Sequence, residues 1–287
     1  MEWQLAMFRK TLKKKMRLRH LKLHLRPLSP GMKCFFVTCG DNNGAMNYFL
    51  RELGGEWFWA DLERKSIAEM EDLLGQTVEH VRPDRLPFPD NSFDVVIAVD
   101  VHEHIPDPRP FTAELYRITR ENGQVIVTVP NGNEKKTATR IKNAVGMTKE
   151  KYGHVREGLD LPELRQLLEG ARFRPDKATT FSRFFTEMLE LSINFLYVNV
   201  LAKKSHEPVG EGTIAPATKK QLESVKKALR AYSLVYPLFW VISRLDLLVL
   251  YRRGYVVMVS GSKVRSGAEE LAQCRVERWT AEAAMVN

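Results

Sequence analysis

The sequence predicts a doubly wound α/β domain on a mostly parallel sheet, and three observations predict it. Short apolar runs alternate with amphipathic stretches from residue 32 onward. Glycines stand directly after the first of these runs, at a strand-to-helix turn. Phe93–Val99 is continuously apolar, as a strand buried on both faces must be.

Taken in order, Met32–Thr38 reads as the first strand, followed by Gly40 and Gly44, and Ala45–Leu53 as a helix ending at Gly54-Gly55. Glu56–Ala60 is a second strand closed by Asp61, Ser66–Leu74 a helix stopped by Gly75, and Val78–Val81 a short strand. After Phe93–Val99, the spacing of Phe111, Leu115 and Ile118 marks a helix stopped at Asn122-Gly123, with Gln124–Val129 the next strand. Asp160 caps a helix that places Leu161, Leu164, Leu167 and Leu168 on one face. Beyond Phe181 the alternation breaks. Phe184–Leu201 reads as an apolar helix, residues 205–217 as a Pro/Gly linker, and Leu222, Val225, Leu229 and Tyr232 as an amphipathic helix running into an apolar stretch to Tyr251. Tyr255–Val259 is again strand-like.

The chain has 287 residues, of which 44% are hydrophobic and 28% charged, with a net charge of +9. These fractions exclude disorder, a collagen-like repeat and a disulfide scaffold. Nine cations lie between Arg9 and Arg26, and Glu2 is the only acid before residue 30, so the arm carries +8 and the remaining body about +1. A nearly neutral body argues against a broad nucleic-acid face. Within the arm, Leu5, Phe8, Leu12 and Met16 recur at helical spacing, whereas Leu21, Leu23 and Leu25 alternate with polar residues as in a strand. The charge therefore reads as a detachable cationic arm. Cys34, Cys39 and Cys274 form no CxxC pair, which points to a reduced, cytoplasmic setting. No signal peptide is read, because Met7 and Phe8 run straight into cations. No membrane span is read in Tyr232–Tyr251, which Pro237, Arg244 and Asp246 interrupt.

The chemistry concentrates in an ordered series. It runs from a strand through Gly40 and Gly44 to a helix, then from a strand to Asp61, and on to Leu86–Pro108, LPFPDNSFDVVIAVDVHEHIPDP. A glycine turn lets backbone approach a ligand, and an acid ending the second strand can accept both hydroxyls of a ribose. Residues 86–108 closely resemble class I S-adenosylmethionine-dependent methyltransferases, in the branch acting on quinones, lipids, sugars and other small acceptors. The resemblance covers roughly residues 31–183 and 254–263. It implies a Rossmann-like seven-stranded sheet with a helical insertion before the last strand.

It also implies S-adenosylmethionine as cofactor. The loop Cys39, Gly40, Asp41 and Gly44 would line the methionine part, Asp61 with Leu62 would hold the ribose, and Asp100 and Val101, leading to His104, would flank the cofactor near the acceptor. There are departures. Phe36 and Thr38 stand where the family has an acid and a glycine, and the loop is about two residues longer. Asn42 or Asn43 could supply the left-handed conformation and Asp41 the missing acid. The adenine-contacting slot falls at Arg82, leaving Asp84 as the nearest acid.

A hydroxyl acceptor needs a base, and His104 and His154 are the candidates. His104 could instead be structural, His154 a loop anchor and Asp61 a strand-end cap. No metal site is read, because His102, Glu103 and His104 have no further ligand pair at zinc spacing. The domain division is a basic arm (1–30), a core (31–183 and 252–264), an apolar helical insertion (184–251) and a polar tail (265–287). The expected activity is methyl transfer to a small or lipid-linked acceptor, with the arm and insertion meeting an anionic membrane surface. The alternatives are an RNA methyltransferase that uses the arm and a non-catalytic scaffold with the same fold. Packing of the apolar helices leaves a homodimer open.

Overall fold

A computed structural model describes residues 2–196, 219–249 and 253–264. Its strands are β1 Lys33–Thr38, β2 Glu56–Asp61, β3 Val78–His80, β4 Phe93–Val99, β5 Thr119–Pro130, β6 Phe173–Phe181 and β7 Val256–Lys263. They form one sheet in the order β3-β2-β1-β4-β5-β7-β6. β1 to β5 pair in parallel, and β7 runs antiparallel to both of its neighbours. The strand order reverses between β1 and β4, so the crevice at their carboxyl ends is where such a fold takes a ligand.

The expected helices form, as α3 Ala45–Arg51, α4 Ile67–Leu74, α5 Pro108–Ile118 and α7 Leu161–Gly170, and a helix the sequence reading did not mark, α6 Thr137–Ala144, lies in the connection after β5. Local chemistry sets their ends. Asp107 accepts from the Arg109 amide with Pro108 in the first turn of α5. Asp160 and Glu163 form a reciprocal capping box on α7. One expected boundary moves: Asn122-Gly123 does not stop α5 but lies inside β5, where Asn122 takes φ 61° beside a register shift against β4.

Alternate side chains of the strands feed two cores. Phe35, Val37, Val96 and Val127 face α5 and α7, while Cys34, Phe36, Val95 and Ile97 face the layer that holds Met46, Leu50 and Met70. The phenyl ring of Phe36, where the family has an acid, is therefore a core element stacked edge-on to Trp59 at 5.9 Å.

The arm differs from expectation. It forms two helices, α1 Trp3–Phe8 and α2 Leu12–His24, and the strand-like alternation at Leu21–Leu25 is overridden. Leu21 is fully buried and Leu18 nearly so, both in the second core with Phe8, while Leu23 is exposed. Residues 18 and 21 share a helical face, and that face is the one buried. Its cations are engaged as well: Lys13 with Glu187, Lys14 with Asp41, Arg17 with Asp100 and Lys15 with the Tyr236 hydroxyl. The arm is therefore not a detachable tail but part of the domain wall.

The insertion lies between β6 and β7 as α8 Phe184–Leu196 and α9 Lys219–Ser243, followed by a short 3-10 segment, Arg244–Val249. The start of α8 is tied down twice. Buried Asp246 accepts from the amides of Arg183, Phe185 and Thr186 at 2.8, 2.8 and 3.3 Å, satisfying donors that the helix itself leaves open. Glu187, fully buried, receives Lys13 at 2.9 Å, Lys142 at 2.8 Å and the Ser182 hydroxyl at 2.6 Å. Burial alone would push this carboxyl up, but the two lysines and the hydrogen bonds outweigh it and hold it well below the usual range. Sequence residues 197–218, 250–252 and 265–287, including the expected linker and tail, lie outside the described residues.

Replacing Glu187 with Gln leaves Lys13 and Lys142, each about a quarter exposed, without their counter-charge. Chemical denaturation should show a loss of about 1.5–3 kcal/mol at neutral pH. Because the folded carboxyl titrates below its unfolded value, that stabilisation is complete above about pH 4.5 and fades as the pH falls below it.

Candidate functional site

The loop after β1 reaches its shape through side chains as much as glycine. Gly40 and Gly44 take φ 69° and 87°, and neither Asn42 nor Asn43 is left-handed, contrary to the expectation for this longer loop. Instead Asn42 Oδ1 accepts from the Gly44 amide and Asn43 Oδ1 from the Ala45 amide, two local Asx bonds that open α3. Asn42 Nδ2 also donates to Asn47 Oδ1 at 2.7 Å. A Cβ on Gly44 would press on the Met70 backbone at 3.1 Å, so the turn requires glycine twice over.

Asp61 ends β2 beside this loop and is fully buried. Its Oδ1 accepts from the Gly40 and Glu63 amides at 2.8 and 2.7 Å, and its Oδ2 accepts from the Thr38 hydroxyl at 2.6 Å. Burial raises its pKa, and these three donors oppose the rise. Thr38, which replaces a glycine of the family pattern, thus supplies a donor that locks Asp61 to β1. Leu62 packs against the first core, and the Cys39 thiol, buried, is driven far up by desolvation and is no nucleophile. Asp41 is spent on Lys14, whose ammonium also donates to the Asp41 carbonyl at 2.8 Å. Asp84 is fully exposed, pairs with Arg82 at 3.0 Å and lines neither of the two main cavities.

Across the switch point, Asp100 takes φ 50° at the end of β4, with Val101 buried beneath it. His102–His104 forms a single 3-10 turn. His102 turns inward to Thr112 and is an anchor. Glu103 is fully buried, and neither carboxylate oxygen has a hydrogen-bond partner. Burial, reinforced by neighbouring Asp100, raises its pKa well above the ordinary carboxyl value. His104 Nδ1 lies 2.9 Å from the Gly153 carbonyl, which accepts only, so Nδ1 carries a proton and donates it there.

His154 faces His104 edge-on at 4.7 Å. The two sequence-derived base candidates, 50 residues apart, are thus brought together. Burial lowers the His154 pKa to about 3, with His104, Lys142 and Lys13 pushing the same way. It is neutral and a weak proton acceptor, whereas an ionised Glu103, with its raised pKa, would be a stronger one. The sequence did not single out Glu103 for that role; an acid between two histidines after a buried strand was the only signal. Glu103, His104 and His154 each offer a ligand atom, all within 4.8 Å of one another, and one carboxylate with two imidazoles is a donor set that could hold a divalent cation.

This cluster lines a cavity of about 780 Å³. Asp100, Asn131 and Tyr255 line the sheet side, Lys13, Lys142 and Arg230 supply cations, and Trp3, Met7, Leu191, Leu196, Val235 and Phe239 form an apolar wall from the arm and insertion. A second pocket of about 30 Å³ lies against the glycine loop, between Thr38, Asn42, Asp100 and Arg17.

Two outcomes check these assignments. Asp61→Ala strands two buried amides, so urea denaturation should report a loss of about 2–4 kcal/mol. Second, buried His24, His102 and His154 have pKa values lowered to about 4, 3 and 3, chiefly by desolvation. Since the unfolded chain binds these protons near pH 6.5, stability is full above that pH. It should fall by up to about 1.4 kcal/mol per pH unit for each such group as the pH drops toward 4. Unfolding free energies measured across this range check it.

Residues 37–127 match the family model described as a methyltransferase domain. A Mycolicibacterium smegmatis protein named as a "probable S-adenosylmethionine-dependent methyltransferase" is 31% identical over 137 residues, covering 47% of this chain and 49% of that one. A chloroplastic protein of Oryza sativa subsp. japonica, named as a "probable tocopherol O-methyltransferase", is 32% identical over 98 residues, 32% of this chain and 27% of its own. The chain thus spans half or less of the length of the curated relatives it matches. The solved structure of Haemonchus contortus phosphoethanolamine N-methyltransferase 2 with S-adenosyl-L-methionine superposes with a TM-score of 0.53 at 14% identity, over 87% of this chain and 53% of that one. The reversal of strand order between β1 and β4, the antiparallel β7 and the matched segment lead to one conclusion: the chain has the class I S-adenosylmethionine-dependent methyltransferase fold.

Proposed function

We propose that the chain is an S-adenosylmethionine-dependent methyltransferase that methylates a hydroxyl on a small or lipid-linked amphiphile taken from a membrane surface. The observation that carries this reading is the mixed lining of the cavity, which joins Glu103, His104 and His154 to an apolar wall of Trp3, Met7, Leu191 and Phe239. Its volume suits a single organic ligand. An acceptor with a polar head and an apolar tail matches both kinds of lining at once.

The glycine loop fits the cofactor. Gly40 and Gly44 leave its edge without side chains, and Asp100 Oδ1 is a buried acceptor without a partner beside it. A Cβ at Gly40 would meet the Glu63 and Lys65 side chains, flexible groups that can swing aside for a ribose near Asp61. When bound, the cofactor supplies a sulfonium-activated methyl group. The chain's own work is to align the acceptor oxygen, exclude water and remove a proton. Glu103, in its ionised form, receives that proton from the acceptor hydroxyl, its raised pKa making it the stronger base, and the rings of His104 and His154 hold the oxygen in line. Cys39, Val101 and Leu62 shape the walls of the cofactor site, whereas Asp84 takes part only if the segment carrying it folds inward on binding.

Membrane contact is supported by α9 and the segment after it. Leu234, Leu238, Val241, Leu247 and Leu248 are all more than half exposed. Arg230–Val249 is long and apolar enough to cross a membrane by length and composition, but Asp246 is bonded into the domain, which favours a helix lying in the interface plane. The RNA reading loses support because Lys13, Lys14 and Arg17 turn inward to acids and are not free to grip phosphates.

Calorimetry with S-adenosylmethionine should give saturable binding, and none at millimolar cofactor would sink the proposal. Glu103→Gln should lower methyl transfer from labelled cofactor into a lipid extract by about 10²- to 10⁴-fold while binding of the cofactor persists. The protein should float with anionic liposomes, and Leu247→Asp with Leu248→Asp should abolish flotation.

A further inference from the structure

Phe8, Lys14 and Arg17 of the arm border the small pocket at the cofactor end of the site. Arg17 of α2 is only 6% exposed, and its Nη2 lies 2.6 Å from Asp100 Oδ2. Neither partner is saturated. Arg17 Nε and Asp100 Oδ1 are both buried without a hydrogen-bond partner. Burying a donor and an acceptor of opposite charge half-used is costly unless a ligand completes them. Both residues border the small pocket against Thr38, Asn42 and the glycine loop, and both also face the large cavity.

A guanidinium and a carboxylate set side by side, each with an open valence, complement an α-amino-acid zwitterion. The guanidinium takes the carboxylate in forked hydrogen bonds, and the carboxylate takes the ammonium. The same recognition would not be offered by Asp100 alone, which a family pattern read from sequence assigns without any cation. The small pocket, at about 30 Å³, is too small for such a group while the pair is closed, so binding must open it. Lys14, held to Asp41 at 3.6 Å, sits at the same mouth and reinforces the positive side.

We propose that Arg17 and Asp100 form a zwitterion clamp for the methionine end of the cofactor, with Arg17 on the carboxylate and Asp100 on the ammonium. The arm is then a working wall of the cofactor site, and ligand entry replaces the Arg17–Asp100 contact with two ligand contacts. This rests on the methyltransferase reading given above.

The test uses the full chain and two ligands that share the adenosine and the thioether. S-adenosylhomocysteine carries the amino-acid end, and 5′-methylthioadenosine lacks it. Calorimetry should show the unaltered protein preferring S-adenosylhomocysteine, and Arg17→Ala should shrink that preference by about 10- to 100-fold through weaker S-adenosylhomocysteine binding alone. Arg17→Lys should keep part of it. Should Arg17→Ala fail to fold, Asp100→Asn tests the ammonium half by the same ratio. Trypsin should cut the arm more slowly with S-adenosylhomocysteine than with methylthioadenosine. An unchanged ratio in folded variants overturns the clamp and leaves Arg17–Asp100 a structural tie, with the methyltransferase reading intact. Failure of the unaltered chain to bind either ligand overturns both.

Discussion

The buried carboxylate of Glu187 holds three otherwise separate elements in one place. Lys13 comes from the arm, Lys142 from α6 and Ser182 from the end of β6, and all meet on one side chain at the start of α8. The arm, α6 and α8 all contribute to the wall of the large cavity. A carboxylate with no exposure cannot remain charged without such partners, and two lysines cannot converge without such an acid. The consequence is mutual: the arm, the helix after β5 and the insertion are placed together or not at all.

The same cluster sets the electrostatics of the proposed acceptor end. Lys13 and Lys142 both help keep His154 neutral, adding to the effect of burial. Asp100 and Glu103, by contrast, crowd two carboxyls together, offset by Arg17 and, at Asp100, also by Lys13. The site therefore divides into a side of lowered proton affinity at His154 and a side of raised proton affinity at Glu103 and Asp100. This division assigns roles that residue types alone leave undetermined, since two histidines and two acids could share the work in several ways.

The departures from the family pattern compensate one another. Phe36 removes an acid from β1 but fills the core against Trp59. Thr38 replaces a glycine yet supplies the hydroxyl that fixes Asp61, and Asn42 and Asn43 close the longer loop with their side-chain amides. A loop that looked degraded in the sequence is well bonded in three dimensions.

The parallel strands β1 to β4 and the placement of Gly40, Gly44, Asp61 and Asp100–His104 at strand ends were legible from the sequence, whereas β5 begins at Thr119, ahead of the expected Gln124. Apolar runs, glycines and caps are local signals, and a parallel sheet follows from their alternation. Three matters were decided only by the tertiary structure. The arm's alternating leucines mimic a strand, and only the core groove that receives Leu18 and Leu21 selects a helix. His154 reaches His104 through a long connection whose path no local pattern encodes. The net charge of +9 suggested a free basic tail, yet Lys13, Lys14 and Arg17 of its nine cations pair with acids of the body, the farthest of them Glu187, 174 residues beyond Lys13. Composition counts charges, whereas their partners are set by the path of the folded chain.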